Sequence, residues 1–320
     1  MRVRAALSVV LLFAACGERD SYRSPDGRFR VVATTEATGP AGNTNVANAL
    51  AAAPADAAIV VFAPAALPPE AQRGARRTLL VGGDGTLPTG VAAAITGANG
   101  ADAAVDLALL HCHGIEIPAR IPLGAQVLTT ANQAAGGARQ TGPGDVVLQL
   151  LRMQHAAVLS GEPTTDVVFR LGFVQVRDDA RSHRTRDAVQ AAAQRHKRLV
   201  VSSKVADGSE ANVDALVAGL VDEGCRAIVL ASDDPMALTT ATAKAAAQKV
   251  ALLALDPTLS TPASCVLGCE PAQLGRAAAA ALQQLVPAGC ALVELHGEAS
   301  APQFAAARHA FHEALQLRPN

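Results

Sequence analysis

The chain has 320 residues, of which 50% are hydrophobic and only 2% aromatic, and its formal net charge at pH 7 is -1. This length allows a large core and predicts two lobes. The charge balance argues against a nucleic-acid binder, because phosphate binding needs a basic face. With no Trp in the sequence, Ala-rich helices and Val- or Leu-rich strands have to pack the core.

The first 15 residues have the pattern of an export signal. Arg2 and Arg4 precede the apolar run Ala5–Ala15, which is too short to span a bilayer as a helix. Small residues end this run directly before Cys16, and this arrangement resembles a bacterial lipoprotein signal. The alternative is an ordinary signal peptide with an incidental cysteine. We expect residues 1–15 to be a signal peptide, Cys16 to carry the lipid and residues 16–28 to form a short tether.

Strand and helix patterns alternate between residues 29 and 133, which favours parallel βαβ units. The predicted strands are Phe29–Thr35, Ala57–Ala63, Thr78–Gly82 and the extended segment Ile121–Thr130. The predicted helices are Thr44–Ala53, Pro68–Arg77, Thr89–Thr96 and Ala101–His111.

Residues 134–165 are rich in Gly and Pro at their start and predict a linker followed by a helix. That helix is predicted over Val146–Leu159, with Asp145 as its N-cap. A second alternating series fills residues 166–320. Its predicted strands are Val167–Val176, Leu199–Ser203, Ala227–Ala231, Val250–Leu255 and Ala291–Leu295. Its helices are predicted near 183–197, 210–223, 237–248, 271–285 and 302–317.

Several polar residues follow predicted strands at the edge where open α/β sheets bind ligands. Asp233, Asp234 and Asp256 follow two buried strands, and ionised carboxylates accept hydrogen bonds from hydroxyl groups. Solvation in a loop, or capping of the next helix by Asp234 before Pro235, is the alternative.

Four further residues are candidates for ligand contact. Gln175 and Arg177 end the first strand of the second series, and Asp84 lies between two glycines after Val81. Arg308 is a candidate for a forked contact with a ligand, or it covers a helix surface. Turn stabilisation by Asp84 and simple exposure of Arg177 are the other interpretations.

No motif of an enzyme, metal site or cofactor site stands out. The sequence contains no nucleophile elbow, P-loop or HExxH, so we predict no catalysis, no metal and no cofactor. His111 and His113 end a predicted helix, where histidines interact favourably with the helix dipole. Five cysteines follow Cys16, and an odd number leaves at least one unpaired. Cys265 and Cys269 are spaced to pair or to be free.

The second half of the chain resembles the first lobe of type I periplasmic sugar-binding proteins, the ribose and galactose type. Leu255-Asp256, Leu267-Gly268-Cys269-Glu270 and the stretch Arg308–Phe311 carry this resemblance. The first half is similar to the family's second lobe, through Val81–Gly85 and Ala101–Gly114. The lobes therefore stand in circularly permuted order, over residues 29–133 and 166–320. A misassignment of two lobes with one topology is the alternative.

The resemblance implies a lipid-anchored protein outside the cytoplasm that binds a small sugar or polyol between two lobes and passes it to an ABC permease. Two departures favour a rival, a sensor or interaction lipoprotein whose ligand site has degraded. Ala63-Pro64 stands where the family usually has Asn-Asp, and a strand with a polar ligand position is missing between Ile95 and Ala101. Phe62, Phe169 and Phe173 are expected in the core rather than against a sugar ring.

Overall fold

The computed structural model describes residues 22–36, 39–62, 67–82, 86–97, 100–160, 167–176, 178, 180–207, 209–231, 238–255, 263–296 and 302–319. Within these residues the strands form one sheet of nine strands, here called the large sheet, and one of six, the small sheet. Helices cover both faces of each sheet and bury four apolar clusters against them. The predicted α/β class with two doubly wound sheets is confirmed.

The small sheet is parallel throughout. Its strands are β6 (Arg120–Leu123), β9 (Phe169–Gln175), β10 (Leu199–Val205), β11 (Ala227–Ala231), β12 (Ala251–Ala254) and β13 (Cys265–Cys269). They lie in the order β10-β9-β11-β12-β13-β6. The strand β9 is therefore an inner strand of this sheet, with β10 on one side and β11, β12 and β13 on the other.

The large sheet has the same arrangement at its centre, with antiparallel strands at both edges. Its strands are β1 (Tyr22–Arg23), β2 (Phe29–Glu36), β3 (Ala58–Phe62), β4 (Thr78–Val81), β5 (Ala93–Gly97), β7 (Ala125–Thr129), β8 (Ala138–Arg139), β14 (Cys290–His296) and β15 (Arg318–Pro319). Their order is β15-β1-β2-β14-β3-β4-β5-β7-β8. Here β14, from the last part of the chain, lies between β2 and β3.

Ten α-helices connect these strands within the described residues. They are α1 (Gly39–Ala52), α2 (Glu70–Arg73), α3 (Ala101–Cys112), α4 (Pro143–Gln154), α5 (Ala156–Leu159), α6 (Ala180–Gln194), α7 (Glu210–Asp222), α8 (Thr239–Ala247), α9 (Pro271–Leu285) and α10 (Pro302–Ala314). A short 3-10 helix covers Gln133–Ala135. Asp145 is the third residue of α4 rather than its N-cap, which is Gly142.

Each sheet takes strands from both halves of the chain, so the ranges 29–133 and 166–320 do not separate the two sheets. The helix α3 and the strand β6 belong to the small sheet, whereas α9 and β14 belong to the large one. The chain passes between the sheets four times, between β5 and α3, β6 and β7, β8 and α4, and β13 and α9.

The prediction of a helix over Thr89–Thr96 is wrong, because Ala93–Gly97 is the strand β5. Its alanines favour a helix by propensity alone. However, β5 lies between β4 and β7 with its first four residues buried, and strands buried on both faces read as continuous apolar runs. The strand that the sequence seemed to lack before Ala101 is therefore present.

Small residues replace aromatic ones in much of the core, as the composition predicts. In α9, Ala277, Ala278 and Ala279 are at most 1% exposed. A Cβ on Gly275 would lie 1.9 Å from the carbonyl oxygen of Ala307, so this glycine lets α9 and α10 pack backbone to backbone. Phe62 and Phe173 are core residues at 1% and 0% exposure. The absence of large rings is thus compensated by close helix approach.

Candidate functional site

The carboxyl ends of the two sheets meet where the chain crosses between them. A Cβ on Gly97, the last residue of β5, would lie 3.0 Å from the Cβ of Cys269, the last residue of β13. Gly100, which follows in the same crossover, packs against Leu255 and Leu267 of the small sheet. Since open α/β sheets bind ligands at their carboxyl ends, the space between these two edges is the candidate site.

Two neighbouring crossovers run in direct backbone contact beside this site. A Cβ on Gly124 would lie 1.6 Å from the carbonyl oxygen of Gln140, and one on Gly142 would lie 2.6 Å from the amide nitrogen of Gly124. One carboxylate oxygen of Asp145 accepts hydrogen bonds from the amides of Gly124 (2.9 Å) and Gly142 (2.7 Å). Its other oxygen pairs with Arg139. Asp145 therefore fastens the crossover after β6 to the crossover after β8.

Gln175 lies at the carboxyl edge of the small sheet, at the end of its central strand. It is 0% exposed and is flanked by Val205 of β10 and Ala231 of β11. Its amide nitrogen donates to a carboxylate oxygen of Asp178 at 3.3 Å, and Nε2 of His183 lies 2.5 Å from the same oxygen. These three polar side chains form a connected group at the start of α6.

A second polar group follows β10 on the same edge, and the sequence analysis did not find its acidic member, Asp207. The carboxylate of Asp207 accepts hydrogen bonds from the side chain (2.7 Å) and backbone (2.8 Å) of Ser209, which lower the pKa of Asp207. Asn212 accepts a hydrogen bond from the Asp207 amide at 3.2 Å. The pattern of an acidic residue two positions before a helix-capping serine could have identified this group.

Most of the residues predicted to contact a ligand lie outside the described residues. They are Asp84, Arg177, Asp233, Asp234, Asp256 and the lipid-attachment residue Cys16. In sequence, Asp233 and Asp234 come shortly after β11 and Asp256 comes shortly after β12. Their prediction as ligand-binding residues therefore stays a prediction.

Arg308 belongs to the large sheet, not to the edge that carries Gln175. Its Nε donates to the carboxylate of Glu294 at 2.8 Å, and its Nη2 lies 3.5 Å from the hydroxyl of Thr34. Glu294 is 0% exposed, and its second oxygen lies 2.6 Å from Nε2 of His312. The guanidinium also lies over the ring of Tyr22. In this structure Arg308 is the partner of a buried carboxylate.

The histidines around Cys112 make separate contacts. Nε2 of His111 is 3.0 Å from the carbonyl oxygen of Lys249, whereas Nδ1 of His113 is 2.9 Å from that of Leu109. Among the described residues, no group of three His, Cys, Asp or Glu side chains is placed to hold a metal ion.

The cysteines of the described chain are all free, including Cys265 and Cys269. Burial raises the pKa of Cys112, Cys225 and Cys290 to about 11 and the pKa of Cys265 and Cys269 to about 12. These groups are therefore thiols at neutral pH, without the thiolate that reactive cysteines need.

The described helices are each too short or too polar to cross a membrane.

Comparisons with known proteins address the class of this site. The periplasmic binding protein domain matches residues 174–320, from the end of β9 to the end of the chain. No curated protein sequence matches the chain.

Two solved structures are similar to about half of the chain. One is the fructose-binding periplasmic domain of a hybrid two-component system, with 20% identity, a TM-score of 0.37 and coverage of 46% of this chain and 50% of that one. Another is an ABC transporter solute-binding protein from Mycobacterium smegmatis with bound glycerol, with 23% identity, a TM-score of 0.39 and coverage of 46% and 52%.

The family match begins in the central strand of the small sheet and includes β10 to β13, whose carboxyl ends form one wall of the candidate site. It continues through β14, the central strand of the large sheet. Residues 174–320 therefore match a periplasmic binding protein domain, and this match covers slightly less than half of the chain.

Proposed function

We propose that the protein is a lipoprotein outside the cytoplasm that binds a small sugar or polyol between its two sheets and passes it to an ABC permease. The observation that carries this proposal is the match of residues 174–320 to the periplasmic binding protein domain. That segment supplies the edge of the small sheet on which Gln175 and Asp207 lie.

The chemistry of this edge suits a ligand with several hydroxyl groups. Asp178 and Asp207 offer carboxylate oxygens as acceptors, and Asp233, Asp234 and Asp256 follow the next two strands in sequence. An ionised carboxylate accepts up to four hydrogen bonds, and a hydroxyl group needs an acceptor for its proton. The low aromatic content leaves hydrogen bonding, rather than ring stacking, as the main source of ligand specificity.

The paired crossovers support a closing motion of the two sheets about a short hinge. The backbone contact at Gly124 and Gly142 and the Asp145 carboxylate join two of the four connections. Rotation in hinge proteins is absorbed by a few residues between rigid bodies, and here the helices and strands on either side are packed into separate cores.

The binding proposal is tested by thermal unfolding of the mature protein with a panel of sugars and polyols. A ligand that binds only the folded state adds about 2.7 kcal/mol to the free energy of unfolding at a hundredfold excess over Kd. This gain raises the melting temperature. Asp256→Ala should abolish the shift, and Asp187→Ala serves as the matched control because Asp187 is exposed and pairs with Arg186 on the surface of α6. A folded protein that responds to no member of the panel would refute this ligand class.

The lipid anchor is supported by Cys16 at the end of the apolar run Ala5–Ala15. Metabolic labelling with a radioactive fatty acid should mark the protein, and Cys16→Ser should prevent the labelling while leaving the fold unchanged. Labelling that persists in Cys16→Ser would place the lipid elsewhere.

We also propose that the two sheets stand in circularly permuted order. In support, β14 and α10 come at the end of the chain, whereas β2, β3, β4 and β5 of the same sheet precede the family match. A rotated sequence, in which residues 22–133 follow Pro319, should match the family domain beyond the present 174–320. A match that stays confined to the same residues after rotation would contradict the permutation.

One observation favours the rival function, a sensor or interaction lipoprotein without transport. Arg308 is already bound to the buried Glu294, so the large sheet offers this guanidinium less freely to a ligand. Of the two departures in the sequence, the missing strand no longer supports the rival, since β5 is present, whereas Ala63-Pro64 in place of Asn-Asp still does. Failure of the whole panel to stabilise a well-folded protein would favour the rival.

A further inference from the structure

One carboxylate holds two of the four connections between the sheets together. Asp145 lies in the first turn of α4, and one of its oxygens accepts hydrogen bonds from the amides of Gly124 (2.9 Å) and Gly142 (2.7 Å). Its other oxygen pairs with Arg139 of β8. We refer to Asp145, the two amides and the guanidinium of Arg139 as the Asp145 clip. The clip joins the connection from β6 to β7 with the connection from β8 to α4.

The backbones at the clip are so close that no side chain fits between them. A Cβ on Gly142 would lie 2.6 Å from the amide nitrogen of Gly124, and a Cβ on Gly144 would lie 2.6 Å from the carbonyl oxygen of Pro122. The side chain of Asp145 is only 13% exposed, so its carboxylate is costly to leave without hydrogen bonds. The two connections at the clip therefore have to move together.

The other two connections meet through van der Waals contact. A Cβ on Gly97, at the end of β5, would lie 3.0 Å from the Cβ of Cys269, at the end of β13. Gly100, which follows in the same connection, packs against the side chains of Leu255 and Leu267. Contacts of this kind are individually weak, whereas hydrogen bonds to a carboxylate are directional and stronger than those between neutral groups. A rotation between the sheets should therefore separate these two connections more readily than the two at the clip.

We propose that the Asp145 clip is the pivot of the closing motion between the two sheets, and that its carboxylate sets how often the ligand-free protein leaves the arrangement of this structure. This inference rests on the closing motion of the proposed function, and it adds the residue that controls that motion. In hinge proteins a few residues between rigid bodies absorb the rotation. Here the rigid bodies are two separately packed cores, and the clip lies between them. Asp145 is thus a positioning residue that acts through the backbone.

The proposal is tested on the mature chain without ligand, with one nitroxide label on each sheet. The labels are attached at Thr44→Cys in α1, which follows β2, and at Val205→Cys, the last residue of β10; both positions are exposed and far along the sheets from the clip. Cys16→Ser is included in every variant. Double electron–electron resonance measures the distribution of distances between the two labels. Protein without the two added cysteines should give no distance signal, because burial raises the pKa of the other thiols to about 11 or about 12 and slows their labelling.

Asp145→Asn should raise the population at distances other than the main one about 10-fold, because asparagine keeps the size of the side chain but has no charge and only one acceptor oxygen. Asp106→Asn is the matched control. Asp106 is 12% exposed and also pairs with an arginine, at 2.6 Å from Nη2 of Arg152. That pair joins α3 to α4 within the core of the small sheet, so its loss should leave the distances between the labels unchanged.

Gly142→Ala tests the same clip while the carboxylate stays in place. Gly142 has φ of -88° and ψ of 165°, angles that alanine also adopts, so the added Cβ acts only by meeting the amide nitrogen of Gly124 at 2.6 Å. The two connections then have to separate, and the distances should spread as in Asp145→Asn. Arg139→Gln should have a smaller effect, because its side chain is 50% exposed and both amide hydrogen bonds remain.

Equal distance distributions in Asp145→Asn and Asp106→Asn would overturn the Asp145 clip as the pivot. An unchanged distribution in Gly142→Ala would do the same, and it decides the question if Asp145→Asn does not fold. Since no ligand is present, the outcome is separate from the test of the proposed ligand. A panel of sugars that fails to stabilise the protein would refute the ligand class and leave the measured distances as they are.

Discussion

The two sheets of this protein have the same strand order at their centre but use their polar residues differently. In the small sheet, Gln175, Asp178 and Asp207 lie at the carboxyl edge, where strands end and ligands bind. In the large sheet, the corresponding central strand β14 carries Glu294 in the core, where it binds Arg308 and His312 of α10.

This difference shows that charged residues in one protein have two separate roles, contact with a ligand and fixing of a helix. Asp178 and Asp207 are exposed, so solvent reaches them and they cost little to maintain, whereas the buried Gln175 is held by its hydrogen bond to Asp178. A carboxylate buried under a helix is expensive to desolvate unless it is paired, and once paired it fixes the position of that helix. We therefore propose that the small sheet selects the ligand, whereas the Glu294 group fixes the placement of α10.

Removal of the Glu294 carboxylate is the strongest test of this division. Glu294→Ala should destabilise the protein by about 3–5 kcal/mol, because it leaves Arg308 and the buried His312 without their partner. Urea unfolding measures the change. Lys244→Ala, which breaks the surface pair with Asp222 on the small sheet's helices, should cost at most about 1 kcal/mol. Equal losses would remove the distinction between the two regions.

Two helical glycines offer a matched comparison of packing around the sheets. Gly275→Ala should destabilise by about 1–3 kcal/mol or more, since its Cβ would meet the Ala307 backbone at 1.9 Å. Gly219→Ala in α7 has nothing within 4 Å and should stabilise by about 0.5–1 kcal/mol through helix propensity. Thermal unfolding of both variants checks the opposite signs. A stabilising Gly275→Ala would mean that α9 and α10 are less closely packed than described.

The region around the small sheet should also lose folding stability at low pH, because of the buried residue His196. Burial lowers the pKa of His196 from 6.5, with a smaller raising effect of Asp106 and a lowering effect of Arg195. Its Nε2 has no hydrogen-bond partner among the described residues. The folded state thus binds a proton less readily than the unfolded chain, so stability should fall as the pH drops from 6.5 toward the lowered pKa.

His196→Gln should reduce this loss of stability below pH 6.5. His309→Gln serves as the control because its side chain is 75% exposed. Urea unfolding at pH values above and below 6.5 measures how steeply the free energy of unfolding changes with pH. An unchanged slope in His196→Gln would assign the acid sensitivity to other groups.

The smallest expected difference between the two sheets is in the reactivity of their cysteines. Burial raises the pKa of Cys265 and Cys269 from 9.0 to about 12, so at neutral pH these residues hold about 1000-fold less thiolate in the folded protein, and a thiol reagent should modify them far more slowly than in the unfolded chain. Val205→Cys, at a position 52% exposed, should add one fast-reacting thiol as an internal reference. Fast reaction of a native cysteine in one sheet would reveal local opening there.

Much of the fold was predictable because many of its strands and helices are defined by local sequence patterns. The strand Ala227–Ala231 was predicted with its exact residues, and α9 likewise over 271–285, since an apolar run and an amphipathic helix are defined by nearest neighbours. The strand β5 was missed because its alanines acquire their strand environment only from β4 and β7 on either side. The role of Asp145 was missed because it depends on Gly124, 21 residues away in the chain.

The site shows the same division. The position of Gln175 at a strand end followed from the sequence, but the connection of its side chain to Asp178 and His183 did not. Arg308 was predicted as a ligand contact, and only the tertiary structure brings it to Glu294, 14 residues earlier and buried.

The sequence by itself determined the α/β class, the strands β9 to β12 of the small sheet and the resemblance of residues 174–320 to periplasmic binding proteins. These depend on hydrophobic periodicity and on short motifs, which are properties of neighbouring residues. The tertiary structure alone decided which strands share a sheet, that four crossovers join the sheets, and that Asp145 fastens two of these crossovers together. Pairing between distant strands carries no local signal, because it is set by backbone hydrogen bonds and burial that form only when the chain folds.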